Sequence, residues 1–169
     1  METTTEKIIY RKEQIQHKIR RIAFQIYENN VEESSIILAG IAENGFILAE
    51  RLKIEVEKIS EIQVKLCKVN IDKKNPLKGE ITTSLEPKEY TDKSIVLVDD
   101  VLNSGTTLIY GVRHFLSVPL KQFKTAVLVN RNHKKYPVKA DFKGVSLSTS
   151  LHEIVEVDFN ENMDVIRLV

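Results

Sequence analysis

The sequence predicts an α/β fold, a parallel sheet with helices on both faces, and three observations carry that expectation. Ser35-Ile36-Ile37-Leu38-Ala39-Gly40, Ser94-Ile95-Val96-Leu97-Val98 and the run from Phe123 to Val129 are short and predominantly apolar, as strands buried on both faces are. The stretches between them place apolar residues at helical intervals. Strands and helices alternate along the chain, which implies crossover units and parallel strands. With 169 residues and no internal repeat, low-complexity tract or Gly/Ser linker, the chain reads as one domain, 1–169.

Residues 7–29 carry Ile8, Ile15, Ile19, Ile22, Ala23, Ile26 and Tyr27, the spacing of an amphipathic helix that ends at Asn29-Asn30. The first buried strand follows at 35–40. A second helix spans 46–57 through Ile47, Leu48, Leu52 and Val56. Residues 63–71 alternate imperfectly through Val64, Leu66 and Ile71 and read as a strand. Residues 72–93 are polar and broken by Pro76, Gly79 and Pro87, so they read as a mobile loop with a short strand near Ile81. The buried strand 94–98 leads to a helix over 106–117, then the strand 123–129. Short strands are expected near 140–142, 154–157 and 165–168. Ligands of such sheets sit beyond the carboxyl ends of the strands, so function is expected just after residues 40, 71, 98 and 129.

Composition narrows the function classes. Hydrophobic residues are 42% and charged residues 29% of the chain, and 25 Lys plus Arg against 24 Asp plus Glu leave a net charge of +1. Any basic surface must therefore be local. The single cysteine, Cys67, excludes an internal disulfide framework and fits a reducing compartment. It reads as a half-buried strand thiol, since no Cys–His signature surrounds it. No stretch has the apolar length of a bilayer span, and the charged first twenty residues do not read as a secretory signal. The expectation is a cytoplasmic protein with no membrane partner.

The strongest motif runs from Val98 through Asp99-Asp100-Val101-Leu102-Asn103-Ser104-Gly105-Thr106-Thr107, after a buried strand and into a helix. Ser104, Thr106 and Thr107 offer hydroxyl donors, and Gly105 would let the backbone approach a ligand. The helix start adds amide donors and the positive end of a dipole. Together these suit a monophosphate. Two acids sharing a phosphate pocket would repel it. Set a few residues upstream, Asp99 and Asp100 can instead accept hydrogen bonds from vicinal sugar hydroxyls. Successive strand residues point to opposite faces, so the strand is expected to end at Asp99 for both acids to reach one ligand. The bland alternative is a helix N-cap preceded by surface acids. Other phosphate motifs fail: no Gly-x-Gly-x-x-Gly is present, and Gly40 to Gly45 has P-loop glycine spacing but Phe46 where Lys is required.

At these residues the sequence resembles the type I phosphoribosyltransferases, whose signature is a hydrophobic strand, two acids and a Ser/Thr-Gly-x-Thr loop. Three segments resemble the pyrimidine-operon regulator family, whose members are also uracil phosphoribosyltransferases: Asp99-Asp100-Val101-Leu102, Ala126 to His133, and Pro137 to Phe142. The likeness covers nearly the whole chain. It implies a small hood beside the sheet, a mobile loop, and transfer of phosphoribose from 5-phosphoribosyl 1-diphosphate to a nucleobase, with uracil first among acceptors and a purine as the alternative. By the same likeness Asp99 and Asp100 hold the ribose hydroxyls and are catalytic, and they meet Mg2+ indirectly, through ribose hydroxyls or water. Asn103, Ser104, Gly105, Thr106 and Thr107 hold the 5-phosphate. The backbone of Glu43, Asn44 and Gly45 binds pyrophosphate, and Asp72, Lys73 and Lys74 belong to the lid. A homodimer or higher homo-oligomer is implied as well.

The chain departs from that family where anions are held. Ala42-Glu43-Asn44-Gly45 stands where the family has basic and hydroxyl residues ending in Arg-Gly, and Asn130 stands where Asp precedes Arg131. The phosphate loop lacks the family's Arg. Asp72 with Lys73 and Lys74 either replaces the family's Tyr-Arg-Asp-Asp or is plain solvated loop charge. Two basic runs remain, one from Arg11 to Arg21 and one holding Arg131, His133, Lys134, Lys135, Lys139 and Lys143. Each reads either as a solvated face or, as in the resembling regulators, as a surface for an RNA hairpin. Arg131, His133 and Lys139 are thus the base or RNA candidates, with His133 otherwise a surface histidine without a partner. The second functional reading is a nucleotide-sensing, RNA-binding regulator with weak or no catalysis.

Overall fold

The computed structural model describes residues 5–160 and 162–169. A six-stranded sheet runs in the order β4-β3-β2-β5-β6-β7, built from β2 (Ser35–Ile41), β3 (Gln63–Asn70), β4 (Thr82–Thr83), β5 (Ser94–Leu102), β6 (Gln122–Arg131) and β7 (Phe142–Leu147). All neighbours are parallel except the two-residue edge strand β4, antiparallel to β3. A separate three-stranded antiparallel sheet, order β1-β9-β8, combines β1 (Lys7–Arg11), β8 (Val155–Asp158) and β9 (Val165–Leu168). It forms the hood.

Alternation along the central strands sends side chains to two cores. Ile36, Leu38, Val96, Val98, Ala126 and Leu128 meet α1 (Lys12–Asn29) and α2 (Asn44–Ile59) on one face. Ile37, Ala39, Ile41, Ile95, Leu97 and Val127 meet α4 (Thr106–Phe115) and the single turn α3 (Pro87–Tyr90) on the other. The apolar stripe of α1, through Ile15, Ile19, Ile22, Ala23 and Ile26, has no exposed surface, because α2, the sheet and β7 cover it. That stripe therefore supplies no reason for a second copy of the chain. Cys67 is fully buried in the second core, where burial raises its thiol above the ordinary value and removes it from chemistry.

Several element bounds differ from expectation for definable reasons. The helix expected over 7–29 begins only at Lys12. Ile8, Ile9 and Tyr10 are β-branched or aromatic, suit an extended strand, and pair with β9 from Lys7↔Leu168 to Arg11↔Val165. The segment 72–93 holds β4 and α3, the latter one turn with Pro87 at its first position and the Glu86 N–H donating to Glu89 Oε2 at 2.7 Å. The strand expected near 140–142 starts at Phe142. Lys139 and Asp141 lie in the turn before it, where Thr125 Oγ1 donates to the Lys139 carbonyl and the Thr125 N–H to Asp141 Oδ2.

Strand order reverses between β2 and β5: the chain passes from β2 to β3 on one side and from β5 to β6 on the other. The carboxyl ends of these two strands flank the crevice that such a reversal opens. Residues 42–45 and 99–107 emerge there.

Candidate active site

A cavity of about 640 Å3 occupies the crevice, bounded by the end of β5, the mouth of α4, the loop after β3 and the polar face of the hood. It gathers Asp99, Asp100, Asn103, Ser104, Gly105, Thr106, Thr107, Asn44, Lys73 and Lys74. Those residues come from three separate stretches of sequence.

The acid pair differs in detail from expectation. Strand β5 continues to Leu102, pairing Val101 with Val129 and Leu102 with Asn130, so it does not end at Asp99. The carboxylates still converge, because each folds forward along the strand onto the next amide. Asp99 Oδ1 accepts from the Asp100 N–H at 2.9 Å, and Asp100 Oδ1 from the Val101 N–H at 2.8 Å. Both then meet one ammonium: Lys73 Nζ lies 3.1 Å from Asp99 Oδ1 and 3.6 Å from Asp100 Oδ1. Asp100 Oδ2 accepts from Asn44 Nδ2 at 3.1 Å.

Asp99 is 4% exposed, and this burial governs its chemistry. Burial raises its carboxyl to about 7, the Asp100 carboxylate adding to the rise and Lys73 opposing it. The Lys73 ammonium is pulled down by its own burial, but the two carboxylates outweigh that pull and hold it above its ordinary value.

At the mouth of α4, Gly105 adopts φ +86°, the left-handed region open to glycine. A Cβ there would stand 2.5 Å from Val138 Cγ1, so the glycine also makes room for the loop before β7. The carbonyl of Ser104 ties that loop down by accepting from the Lys135 and Tyr136 N–H groups at 2.7 and 3.1 Å. Ser104 Oγ and Thr106 Oγ1 are 2.9 Å apart, and the Thr106 N–H donates to Ser104 Oγ. The next amides, on Thr107 and Leu108, have no acceptor within the helix, whose first i→i−4 bond joins the Ile109 N–H to the Gly105 carbonyl at 2.9 Å. Hydroxyls, amides and the dipole end thus face the cavity together.

Of the expected pyrophosphate segment, only Asn44 lines the cavity. The Glu43 side chain is 80% exposed and turns toward Lys68, 3.9 Å away. Gly45 lets the start of α2 lie against β5, since a Cβ would meet the Val98 carbonyl at 2.7 Å. In the loop after β3, Asp72 is a turn former whose Oδ1 accepts from the Lys74 and Asn75 N–H groups at 3.0 and 3.2 Å. Lys73 and Lys74 line the cavity.

Arg131, His133 and Lys139 lie outside the cavity. Arg131 Nε donates to Thr149 Oγ1 at 2.7 Å, and His133 Nε2 meets the Thr149 carbonyl at 2.8 Å. His133 therefore has a partner, against expectation, and both side chains pin the 149–150 segment to the end of β6. Lys139 is solvated beside Asp141.

The hood supplies residues that the sequence reading missed. Glu156, Asp158 and Arg167 line the cavity opposite the phosphate loop. Arg167 reaches Asp158 Oδ2 at 3.0 Å, lies 3.5 Å from Glu156 Oε2, and pairs with Glu6. The alternation Val155-Glu156-Val157-Asp158 signals that the two acids share a face, but not which way that face looks.

Three of the four carboxylate oxygens of the acid pair already have partners. Lys73 stands against both inner oxygens and Asn44 against an outer one, and no group of three metal-ligating side chains occurs among the described residues. Direct coordination of Mg2+ by this pair conflicts with Lys73 in place.

Comparison with known proteins places this geometry. The family model for the phosphoribosyl transferase domain matches residues 6–162. The bifunctional protein PyrR of Fusobacterium nucleatum is 37% identical over 164 residues, covering 92% of each chain. PyrR of Streptococcus agalactiae is 30% identical over 155 residues, covering 89% of this chain and 90% of its own. Among solved structures, hypoxanthine phosphoribosyltransferase of Trypanosoma cruzi, complexed with IMP, superposes with a TM-score of 0.80 at 16% identity, covering 100% of this chain and 93% of that one. A hypoxanthine-guanine phosphoribosyltransferase of Bacillus anthracis gives 0.72 at 19% identity, covering 96% and 99%. The structural likenesses establish the fold; the matched model and the PyrR relatives, over nearly the full length, establish that the chain belongs to the phosphoribosyl transferase domain family.

Proposed function

We propose that the protein is a phosphoribosyltransferase that moves phosphoribose from 5-phosphoribosyl 1-diphosphate to a nucleobase nitrogen, with uracil as the acceptor. One observation supports this most: a single cavity joins paired carboxylates to the hydroxyl-bearing mouth of a helix. A 5-phosphate at residues 103–107 directs the ribose hydroxyls toward Asp99 and Asp100. The bond from C1 to the diphosphate oxygen breaks, pyrophosphate leaves with the electron pair, and the base nitrogen bonds C1 and gives up its proton to solvent or to the departing pyrophosphate. Positive charge grows on the ribose ring as the leaving group departs, and the carboxylates beside the sugar stabilise and orient that state. Uracil is favoured by the resemblance of Ala126 to Phe142 to the pyrimidine-operon regulators and by the PyrR relatives.

A pyrophosphate-release screen against uracil, hypoxanthine, guanine, adenine, xanthine and orotate tests the reading. Release is expected with uracil and lost in Asp100→Asn. Turnover with hypoxanthine or guanine alone would reassign the acceptor to the purines, and no turnover with any base would overturn the assignment.

A specific observation favours a second reading, a nucleotide-sensing regulator that binds RNA with weak or no catalysis. No cation from residues 43–45 enters the cavity, while a lysine already grips the acid pair. A gel shift against pyrimidine leader RNA, with and without UMP over a salt series, decides it; binding indifferent to nucleotide would contradict it.

A further inference from the structure

The acid pair at the centre of the cavity already holds a cation. Lys73 is the one cationic side chain in contact with both Asp99 and Asp100 among the described residues. Its position is built rather than incidental. Asp72 caps the two amides that follow Lys73, fixing the turn, while Asp99 is almost wholly buried where the ammonium meets it. An ammonium has three N–H donors, and two carboxylate oxygens occupy at most two of them. The remaining donor is available to an anionic oxygen of a ligand in the same cavity, next to Lys74 and across from Arg167.

Bridging a carboxylate to a phosphate oxygen is what a carboxylate-held divalent cation does in phosphate chemistry. An ammonium in contact with both does it with one charge fewer and no ligand shell to assemble. We infer that Lys73 is a resident counter-cation that links the acid pair to the diphosphate of the ligand, so that the cavity takes 5-phosphoribosyl 1-diphosphate without a divalent metal. This rests on the ribose-phosphate reading of the cavity and goes beyond it, because the family resemblance implies Mg2+ beside the acid pair, whereas here the Lys73 ammonium already stands against both acids and Asn44 against Asp100.

The test has two arms. The first is calorimetric titration of 5-phosphoribosyl 1-diphosphate into the wild type, Lys73→Arg and Lys73→Met, each with excess Mg2+ and with EDTA. The dissociation constant of the wild type should move less than about threefold between buffers, and Lys73→Arg should follow it. Lys73→Met should bind about tenfold or more weakly in EDTA and recover with Mg2+. The second arm is a ligand-free Mn2+ titration read by electron paramagnetic resonance. The wild type should bind no Mn2+ at the acid pair, and Lys73→Met should gain one site that Asp100→Asn removes. Equal metal dependence in wild type and Lys73→Met overturns the inference. Absence of 5-phosphoribosyl 1-diphosphate binding in every buffer instead sinks the transferase reading. The Mn2+ arm then still decides the role of Lys73: a site gained only without the lysine supports it, and no gain overturns it.

Discussion

The side-chain amide of Asn44 joins Asp100 to the hood: Nδ2 donates to Asp100 Oδ2 at 3.1 Å and to the Val157 carbonyl at 2.8 Å. A residue at the first position of α2 thus sets the distance between the acid strand and the sheet that roofs the cavity. Asn44→Ala would leave a half-buried carbonyl and a carboxylate oxygen without that donor. The expected loss is about 1–2 kcal/mol of stability, read from urea unfolding. Binding of 5-phosphoribosyl 1-diphosphate should weaken as well. Asn44→Asp, which sets a second negative charge beside Asp100, should be worse on both counts.

The raised Asp99 carboxyl makes stability depend on pH with an unusual sign. Its folded value of about 7 lies above the ordinary value of 3.8, so between these limits the folded chain holds a proton that the unfolded chain has released. Stability from this group therefore falls as pH rises through that window, by an amount on the order of a few kcal/mol, and levels off above it. Asp99→Asn removes the titration. Melting curves from pH 5 to 8 should show the variant gaining on the wild type toward the alkaline end. A parallel pH profile for both proteins would contradict the assignment.

Gly105 combines a left-handed backbone with a side-chain direction blocked by Val138. Gly105→Ala should cost about 1–3 kcal/mol, measured as a fall in melting temperature. Val138→Ala in the same chain should return only part of that loss, because it opens space without changing φ.

Thr107 belongs to the cavity lining. Thr107→Val preserves shape while removing a donor, so melting should change little. Affinity for UMP, measured by calorimetry, should fall about tenfold, the scale of one charge-assisted hydrogen bond. Unchanged affinity would place the phosphate elsewhere.

How far the sequence could be read follows from where the information resides. Strands β2, β5 and β6 are buried on both faces, so their apolar runs announce them. The acid pair and hydroxyl loop announce the mouth of α4 because their chemistry is unusual between a strand and a helix. The break between β1 and α1 is silent: no Gly, Pro or Asn separates Tyr10 from Lys12, and the strand exists only because β9, far along the chain, pairs with it. Lys73 was visible as one charge among three. Its place on the acid pair depends on the turn made by Asp72 and on two carboxylates folding forward onto their own strand, neither of which is a periodicity. The roles of Glu156, Asp158 and Arg167 depend on which face of the hood looks inward, a fact of tertiary packing.

A structure of the protein with UMP bound is the most direct test of the account. The 5-phosphate should lie within hydrogen-bond distance of the Ser104, Thr106 and Thr107 groups at the head of α4, with the ribose hydroxyls on Asp99 or Asp100. A phosphate bound at Arg167 or on the basic surface of α1, with the head of α4 bare, would contradict it.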